Sequence, residues 1–412
     1  MAAITPVLFS LFLILAGFSY QEGATALGIN YGQVANNLPS PNQVVSLLNF
    51  LKISKAKIYD TNPQVLTAFS NTGIDLIVTL ENELLWTMAD PEQAIQWVST
   101  HIKPYVPSTK ISGILIGNEI FTNGDPTLMA NLVPAMVGIR NALARLDLAS
   151  SIWVSTDHSL AVLGSSYPPS SGFFRQDLVG LMTPLLEFLA ATNAPFWINA
   201  YPYFAYKDDP SRISLEYALF EPNPGMYDPY TKIFYDNMLY AQVDAAIFAL
   251  SKLGFGGLEV RVSETGWPSK GDQNEAGATL QNAQTYNRNL LQRQLHNEGT
   301  PLKPKQRLEI YLFALFNENL KPGPTSERNY GIYQPDGTMA YNVGLTSLET
   351  SSAASASSDA LASNATKKTL KKLVHVARWG NRINHMPPPY IHTYISCILL
   401  AEFVIIKDQK KY

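Results

Sequence analysis

Two glutamates that follow predicted strands are the residues of this 412-residue chain whose type and placement point most directly to chemistry. Glu119 comes at the end of the apolar run 111–117, and Glu264 directly follows the run 258–263. Glutamate is rarely buried without a partner, so a buried strand that ends on one is unusual. Two carboxylates that flank a glycosidic bond can hydrolyse it, because one protonates the leaving oxygen while the other attacks or activates water. Taken singly, each glutamate also fits a salt bridge at the rim of the fold.

The sequence offers few residues that could carry out other kinds of hydrolysis. The only cysteine is Cys397, near the carboxyl terminus, so residues 27–348 hold no thiol nucleophile, thiolate metal site or disulfide. Their three histidines, His101, His158 and His296, are widely spaced, and each also fits a core or surface position. Neither G-x-S-x-G nor H-E-x-x-H occurs. Metal-dependent hydrolysis and Ser-His-Asp catalysis are therefore disfavoured, and we expect no metal and no cofactor.

The elements that must position the two glutamates recur along the chain. Eight short apolar or β-branched runs predict strands at residues 27–31, 56–59, 74–80, 111–117, 152–156, 196–200, 258–263 and 308–316. Segments of helical period lie between them, among them 91–102, 126–146, 235–253 and 276–298. This repeated order predicts an α/β fold, a single (β/α)8 TIM barrel. A doubly wound sheet is the alternative, but no G-x-G-x-x-G opens a helix after the first strand.

Polar or aromatic residues cluster just past the carboxyl ends of the predicted strands. They are Asn30 and Tyr31, Tyr59 and Asp60, Asn82 and Glu83, Asn118 and Glu119, Asp157 and His158, Asn199 and Tyr201, Glu264, and Glu318. The carboxyl ends of barrel strands open on one face, where barrel enzymes place their sites. The fourth and seventh strands face each other there, and a retaining glycosidase needs its two carboxylates about 5–5.5 Å apart.

The composition divides the chain into three parts. Residues 1–26 resemble a signal peptide, with an apolar run at 7–18 and an A-x-A pattern that ends at Ala26. A buried first helix is the alternative. Residues 27–348 form the predicted catalytic body, with 21 Lys/Arg against 28 Asp/Glu, whereas residues 349–412 carry 9 against 4. An acidic body gives no electrostatic footprint for nucleic acid. We expect a secreted monomer.

The tail, residues 349–412, is Ser/Ala-rich as far as Thr366, which predicts disorder. It holds an N-glycosylation acceptor at Asn364. A basic segment and an apolar run at 390–406 follow, and the chain ends in charged residues. The Ser/Ala stretch fits a lipid-anchor signal, but the basic spacer and the charged end do not. A membrane span interrupted by charge and a tail without function are the alternatives.

The body resembles the plant endo-β-1,3-glucanases of glycoside hydrolase family 17 from about residue 27 to about residue 345. The shared motifs are GINYG at 28–32, YD at 59–60, GNE at 117–119, NAYPYF at 199–204, SETGWPS at 263–269 and FALFNEN at 313–319. The resemblance implies a (β/α)8 barrel that cleaves inside β-1,3-glucan chains with net retention. It implies Glu119 as general acid/base, Glu264 as nucleophile, and Asn118 as the partner of the sugar 2-hydroxyl. The other implied substrate-binding residues are Tyr31, Tyr59, Asn199, Tyr201, Trp267, Glu318, Lys321 and Glu327.

Two acids depart from the family pattern. Glu81 stands where a neutral residue is common, and Asp157 stands where a small residue is expected. Either could alter a sugar subsite or local pKa values, and a rim ion pair would explain both. The alternatives for function are a mixed-linkage β-1,3;1,4-glucanase or transglycosylase of the same family, and a non-catalytic glucan-binding wall protein. Callose turnover and attack on fungal walls, a defence role, both fit the chemistry.

Overall fold

Eight parallel strands close into a barrel in the computed structural model, which describes residues 27–345. The strands are β1 (Leu27–Asn30), β2 (Lys55–Lys57), β3 (Asp75–Leu80), β4 (Ile111–Asn118), β5 (Trp153–Ser159), β6 (Leu163–Ser165), β7 (Phe173–Phe174), β8 (Phe196–Asn199), β9 (Met226–Tyr227), β10 (Phe234–Tyr235), β11 (Val260–Thr265) and β12 (Ile310–Leu312). The barrel order is β1-β12-β11-β8-β5-β4-β3-β2, and the pairs β6–β7 and β9–β10 form two small antiparallel ribbons. The (β/α)8 prediction is confirmed. The predictions for the leader and the tail, including Asn364, lie outside the described residues.

Helices connect the barrel strands. They are α1 (Pro41–Phe50), α2 (Pro63–Ala68), α3 (Leu85–Met88), α4 (Pro91–His101), α5 (Pro126–Arg145), α6 (Val179–Thr192), α7 (Pro202–Asp208), α8 (Leu215–Ala218), α9 (Met238–Lys252) and α10 (Leu280–Leu295). Five of them begin with proline, which suits the first helical position because its missing N–H has no partner there. Asp90 and Asp125 cap α4 and α5 by accepting hydrogen bonds from backbone N–H groups of the first turn.

Two helices begin later than predicted, and side-chain caps explain the difference. The pattern placed their starts at residues 235 and 276, but α9 begins at Met238 and α10 at Leu280. Asn237 accepts a hydrogen bond from the N–H of Tyr240 at 2.9 Å. Thr279 likewise accepts from the N–H of Asn282 at 3.2 Å. The helical pattern in the sequence therefore begins a few residues before the helices themselves, which start at their caps.

The eighth barrel strand is shorter than the predicted run 308–316. Its ladder covers only Ile310–Leu312, because the backbone then finds partners in several different segments. The N–H of Phe313 donates to Thr265 O at 2.7 Å, that of Ala314 to Tyr330 O, and that of Leu315 to Asn30 O. Between residues 313 and 345 the chain forms a 3-10 turn at Thr325–Arg328 and no α-helix. The last strand-helix unit is therefore incomplete within the described residues.

Large side chains from separate strands meet inside the barrel. Ile77 on β3, Leu115 on β4, Trp197 on β8 and Tyr311 on β12 form one buried cluster. The rings of Trp197 and Tyr311 meet edge to face, with centroids 5.5 Å apart. β1 can approach this cluster because residue 28 is glycine: a Cβ there would lie 2.4 Å from a ring carbon of Tyr311. The packed interior holds the strand ends in place.

None of the helices between residues 27 and 345 is long and apolar enough to cross a membrane.

Candidate active site

Glu119 leaves the fourth strand through an irregular backbone. The pairing of β4 with β5 shifts register between Leu115 and Asn118, and Gly117 adopts φ +66°. Glu119 itself is left-handed, with φ 54° and ψ 33°. That conformation costs a non-glycine residue about 1–3 kcal/mol, and such strain concentrates at functional sites. The N–H of Glu119 donates to the carbonyl of Asp157 at 3.2 Å, which fixes the turn.

Among residues 27–345, a single neutral donor holds the carboxyl group of Glu119. Asn199 Nδ2, at the end of β8, donates to Glu119 Oε1 at 2.9 Å. Ser263 Oγ donates in turn to Asn199 Oδ1, which fixes the orientation of the amide. Burial, followed by the negative charge of Glu264, raises the pKa of Glu119 to about 7, although the Asn199 hydrogen bond opposes the rise. Glu119 is therefore protonated in mildly acidic solution, as a general acid must be.

Glu264 lies in a very different environment, at the end of β11. Its Oε1 accepts hydrogen bonds from Tyr59 Oη at 2.7 Å and from Lys57 Nζ at 3.1 Å. Its Oε2 accepts from Tyr201 Oη at 2.9 Å. Burial acts to raise the pKa of Glu264, but the Lys57 charge and the Tyr59 hydrogen bond, with smaller contributions from Lys321 and Tyr201, hold it below its ordinary value. Glu264 is therefore ionised where Glu119 is protonated.

Lys57 is the functional-site residue that sequence reasoning missed. Its side chain is fully buried at the end of β2, and it forms salt bridges with Glu264 and with Asp157 on β5. Burial acts to lower the pKa of Lys57, but the two carboxylates raise it overall. A signal was present, because Lys57 lies inside the predicted strand 56–59 between apolar neighbours. The ion pair expected for Asp157 exists, but in the barrel interior and not at the rim.

A second group of predicted residues gathers after β12. Glu318 Oε1 accepts a hydrogen bond from the N–H of Val34 at 2.9 Å, and its Oε2 lies 3.8 Å from Lys321 Nζ. Burial raises the pKa of both Glu318 and Glu327, with the Lys321 charge opposing. Lys321 Nζ also lies 4.2 Å from the centroid of the Phe313 ring, which packs edge-on against Tyr59 and Tyr201, the two hydroxyl donors of Glu264. Lys321 therefore lies near Glu264.

Asn118 is anchored by its backbone and leaves its side-chain oxygen unpaired. Its N–H donates to Asn82 Oδ1 at 2.8 Å, and its carbonyl accepts from Asn82 Nδ2 at 3.3 Å. Within residues 27–345, Asn118 Oδ1 is buried without a hydrogen-bond partner. A buried acceptor without a partner is costly, so this atom is suited to a ligand hydroxyl.

The prediction that Trp267 contacts substrate is wrong. Its indole is 0% exposed, packs against the rings of Tyr203 and Tyr286, and donates from Nε1 to the carbonyl of Gly277 at 2.8 Å. Through the hydrogen bond to Gly277 it supports the loop after β11. Tyr31 is also almost fully buried, at 2% exposure, and packs edge-on against Phe316, which leaves it little surface for a sugar.

The ion pair expected for Glu81 is not formed with any residue of the described part of the chain. Its Oε2 is buried without a partner there, and burial raises its pKa, with the charges of Asp60 and Glu83 acting in the same direction. Between residues 27 and 345, no cluster of three or more His, Cys, Asp or Glu side chains could hold a metal ion.

Comparison with known proteins gives consistent results. The family model described as glycosyl hydrolases family 17 matches residues 27–345. Glucan endo-1,3-beta-glucosidase 11 of Arabidopsis thaliana is 53% identical over 323 residues, which cover 78% of this chain and 76% of that protein. Glucan endo-1,3-beta-glucosidase 14 of the same plant is 51% identical over 340 residues, covering 82% and 86%. The solved structure of a β-1,3-glucanase and allergen of Cryptomeria japonica pollen superposes with a TM-score of 0.75 at 42% identity, covering 78% of this chain and 99% of that one.

Proposed function

The chain belongs to glycosyl hydrolase family 17, and from that premise we propose that it cleaves internal β-1,3-glucosidic bonds of β-1,3-glucans with net retention. The observation that carries the proposal is that Glu119 accepts a hydrogen bond from a neutral amide, whereas Glu264 accepts hydrogen bonds from Lys57 and two tyrosine hydroxyls in the same barrel mouth. These contacts shift the two pKa values in opposite directions. Glycoside hydrolysis through a covalent intermediate needs one neutral carboxylic acid and one carboxylate at the same pH. The site supplies both in mildly acidic solution.

In the first step, the ionised Glu264 attacks the anomeric carbon of the sugar at the cleavage point. Glu119 gives its proton to the glycosidic oxygen, so the leaving chain departs as a neutral alcohol. The C–O bond to that chain breaks, and an ester bond between Glu264 and the sugar forms. Tyr59 and Tyr201 hold the two oxygens of Glu264 in place for the attack.

In the second step, Glu119 acts as a base. Esterification removes the negative charge of Glu264, which is one of the causes that raise the pKa of Glu119, so the Glu119 carboxylate becomes easier to form. It accepts a proton from water while the water oxygen attacks the anomeric carbon. The ester breaks, Glu264 regains its charge, and the product keeps the β configuration because two inversions have occurred.

Other residues at the mouth contribute binding in this proposal. The unpaired Oδ1 of Asn118 would accept a hydrogen bond from the 2-hydroxyl of the sugar at the cleavage point. Tyr59, Asn199 and Tyr201 would orient the two carboxylates as well as the sugar. The cluster of Glu318, Lys321 and Glu327 would set the field beside the nucleophile and bind hydroxyls at its edge.

The test is hydrolysis by the purified protein of laminarin, a β-1,3-glucan, and of lichenan, a mixed-linkage glucan. We expect the protein to release reducing ends from laminarin and to produce short oligosaccharides from the start of the reaction. NMR should show the β-anomers as the first products. Hydrolysis of lichenan at a comparable rate would identify the mixed-linkage activity, and products longer than the substrate would identify transfer. Binding without any cleavage would contradict an enzymatic function, and initial α-anomers would contradict retention.

We also propose that the protein is exported, with residues 1–26 removed as a signal peptide and residues 27–348 acting as a monomeric catalytic domain at the cell exterior. The supporting features are the apolar leader and its A-x-A pattern. Amino-terminal sequencing of the secreted protein should show Leu27 as the first residue, and light scattering should give the mass of a single chain. Release from membranes by a phospholipase that cuts glycolipid anchors would show that the tail directs anchoring.

A further inference from the structure

Three charged side chains from three barrel strands meet beneath the mouth. Lys57 on β2 lies between Asp157 on β5 and Glu264 on β11, and the ammonium bonds to both carboxylates. The side chains of Lys57 and Asp157 are 0% exposed. One buried cation is therefore shared by two buried carboxylates, of which only Glu264 has a part in the proposed reaction.

We propose that Lys57 is a positioning residue for the nucleophile Glu264, and that Asp157 keeps Lys57 neutralised while Glu264 is esterified. The inference rests on the proposed function, because it concerns the covalent step of that reaction. It assigns a role to two residues that neither contact the leaving group nor transfer a proton.

The charge balance of the reaction is the reason for the assignment. Before attack, Glu264 shares the Lys57 ammonium with Asp157. Once the glycosyl ester forms, Glu264 is neutral, and Lys57 would be a buried ammonium without an anion if Asp157 were absent. Breaking one side of a buried ion pair is strongly unfavourable, since the remaining charge stays desolvated. Asp157 supplies the compensating charge, so the covalent intermediate does not carry that penalty.

The electrostatics of Asp157 change in the required direction during the cycle. Burial raises its pKa, Lys57 opposes the rise, and the charge of Glu264 adds to it. Esterification removes the Glu264 charge. Asp157 then holds its negative charge more firmly, at the stage when it is the only carboxylate bonded to Lys57.

The surroundings contain no better partner for Lys57 within the described residues. The titratable and charged groups that face this trio are Tyr59, Glu119, Tyr201, Glu318, Lys321, Glu327 and Tyr330. The hydroxyls of Tyr59 and Tyr201 donate to Glu264, and Glu318 is paired with Lys321. The second oxygen of Asp157, Oδ1, has no side-chain partner there. Lys57 is thus the side chain to which the Asp157 carboxylate bonds.

A purely structural role would not require charge at this place. Replacement of a buried ion pair by apolar residues of similar volume is often neutral or stabilising. Asp157 is also linked to the acid through its backbone, since its carbonyl accepts the N–H of Glu119. Asp157→Asn keeps that backbone bond and the shape of the side chain, and it replaces the carboxylate with a neutral amide.

The experiment compares Asp157→Asn, Lys57→Met and the double variant Lys57→Met/Asp157→Asn, with pH profiles of kcat and kcat/KM on laminarin and thermal melting of each protein. Matched controls are Asp75→Asn on β3 and Lys55→Met on β2. Asp75 and Lys55 are the first residues of β3 and β2, whereas Glu264 lies near the end of β11, and they pair with Lys110 and Glu309 and with neither catalytic carboxylate. The controls should keep the wild-type profiles.

For Asp157→Asn we expect kcat to fall by at least roughly a hundredfold, the lower end of what the loss of one partner of a buried pair corresponds to, with KM little changed. The basic limb of its pH profile should move to lower pH, because the variant lacks the Asp157 charge, which raises the pKa of Glu119. For Lys57→Met the acidic limb should move up by about one pH unit or more, since the ammonium lowers the pKa of Glu264.

If a single variant does not fold, the double variant decides, because it removes both charges at once and leaves Glu264 its two tyrosine donors. We expect it to fold, to show the raised acidic limb of Lys57→Met, and to lose less activity than Asp157→Asn, because no uncompensated buried ammonium remains in it. Folded variants that keep the wild-type kcat and both limbs of the wild-type pH profile would overturn the inference. Hydrolysis of laminarin by the wild-type protein would still support the proposed function in that case. A wild-type protein without glucanase activity, or an active Glu264→Gln variant, would overturn the proposed function instead.

Discussion

The acid side and the nucleophile side of the barrel mouth place the same chemical group in opposite states. Burial acts to raise the pKa of both Glu119 and Glu264. Glu119 receives one hydrogen bond, from the neutral amide of Asn199, whereas Glu264 receives three, from Tyr59, Tyr201 and the cationic Lys57. The separation of roles therefore depends on the donors that each carboxylate receives and not on its depth.

The two sides also differ in how the backbone delivers the carboxylate. Glu119 lies past the end of β4 in a left-handed conformation. Glu264 lies within β11, where the pairing with β8 shifts register between Val262 and Glu264. Bulges re-aim side chains and are common next to active sites. The acid side thus uses a strained turn, and the nucleophile side uses a bulged strand whose backbone stays paired.

The largest effect in this comparison should come from removal of the nucleophile. Glu264→Gln keeps the size of the side chain and removes the attacking anion, so kcat on laminarin should fall by more than roughly 10⁴-fold, as for nucleophiles in other covalent catalysts. Titration calorimetry with a laminari-oligosaccharide should still detect binding. The control is Glu259→Gln, just before the start of β11, where the carboxylate pairs with Arg261. Near-wild-type activity of Glu264→Gln would contradict its assignment.

Removal of the acid should have a smaller and substrate-dependent effect. Glu119→Ala should lose about 10²–10⁴-fold on laminarin, the range typical of general acid–base catalysis. An aryl β-laminarioside with a good leaving group needs no protonation, so its first step should survive, and azide should accelerate the second step by replacing water. The basic limb of the pH profile, near the Glu119 pKa of about 7, should disappear. A persisting basic limb would assign that titration to another group.

The barrel was predictable because each strand-helix unit carries its own local pattern. The strand ends were also predictable, since polar residues stop an apolar run, and this placed Glu119 and Glu264 on one face. The extent of β12 was not predictable, because the groups that take its backbone hydrogen bonds, such as Thr265 and Tyr330, come from other segments. Local sequence predicts an element and not the partner that ends it.

The donor set of Glu264 was only partly predictable. Tyr59 and Tyr201 follow strand ends, whereas Lys57 lies within a predicted strand and not past its end. Its role depends on Asp157 and Glu264, which are 100 and 207 residues away in sequence. Trp267 failed for the opposite reason: a motif beside the nucleophile suggested contact with substrate, but the indole supports the loop from the core.

The nucleophile side can be weakened without removal of the anion. Tyr201→Phe deletes one donor to Glu264, so the pKa of Glu264 should rise and the acidic limb of kcat/KM should move to higher pH. A hydrogen bond to a charged group is worth about 1.5–3 kcal/mol, which predicts at least about a tenfold loss in kcat/KM. Tyr217→Phe on α8 is the control, since the Tyr217 hydroxyl has no hydrogen-bond partner among residues 27–345. A shift of the basic limb alone would contradict the assignment of Tyr201 to the nucleophile.

The smallest effect should come from the support of the acid side. Ser263→Ala removes the hydroxyl that donates to Asn199 Oδ1, so the amide of Asn199 becomes free to turn. In the present orientation Asn199 Nδ2 donates to Glu119, which favours the ionised form and opposes the rise of its pKa. A turned amide would present an oxygen, which accepts a hydrogen bond only from protonated Glu119 and would therefore raise that pKa further. The basic limb should move to higher pH by a fraction of a unit, with kcat reduced only a few-fold at the acidic plateau, in line with the roughly 1 kcal/mol net worth of a neutral hydrogen bond. Ser155→Ala on β5, where the hydroxyl donates to the carbonyl of Pro195 at 2.7 Å, is the matched buried control and should leave both limbs in place. If Ser263→Ala moved the acidic limb instead, the support of Asn199 would belong to the nucleophile side, and the two sides would not be tuned separately.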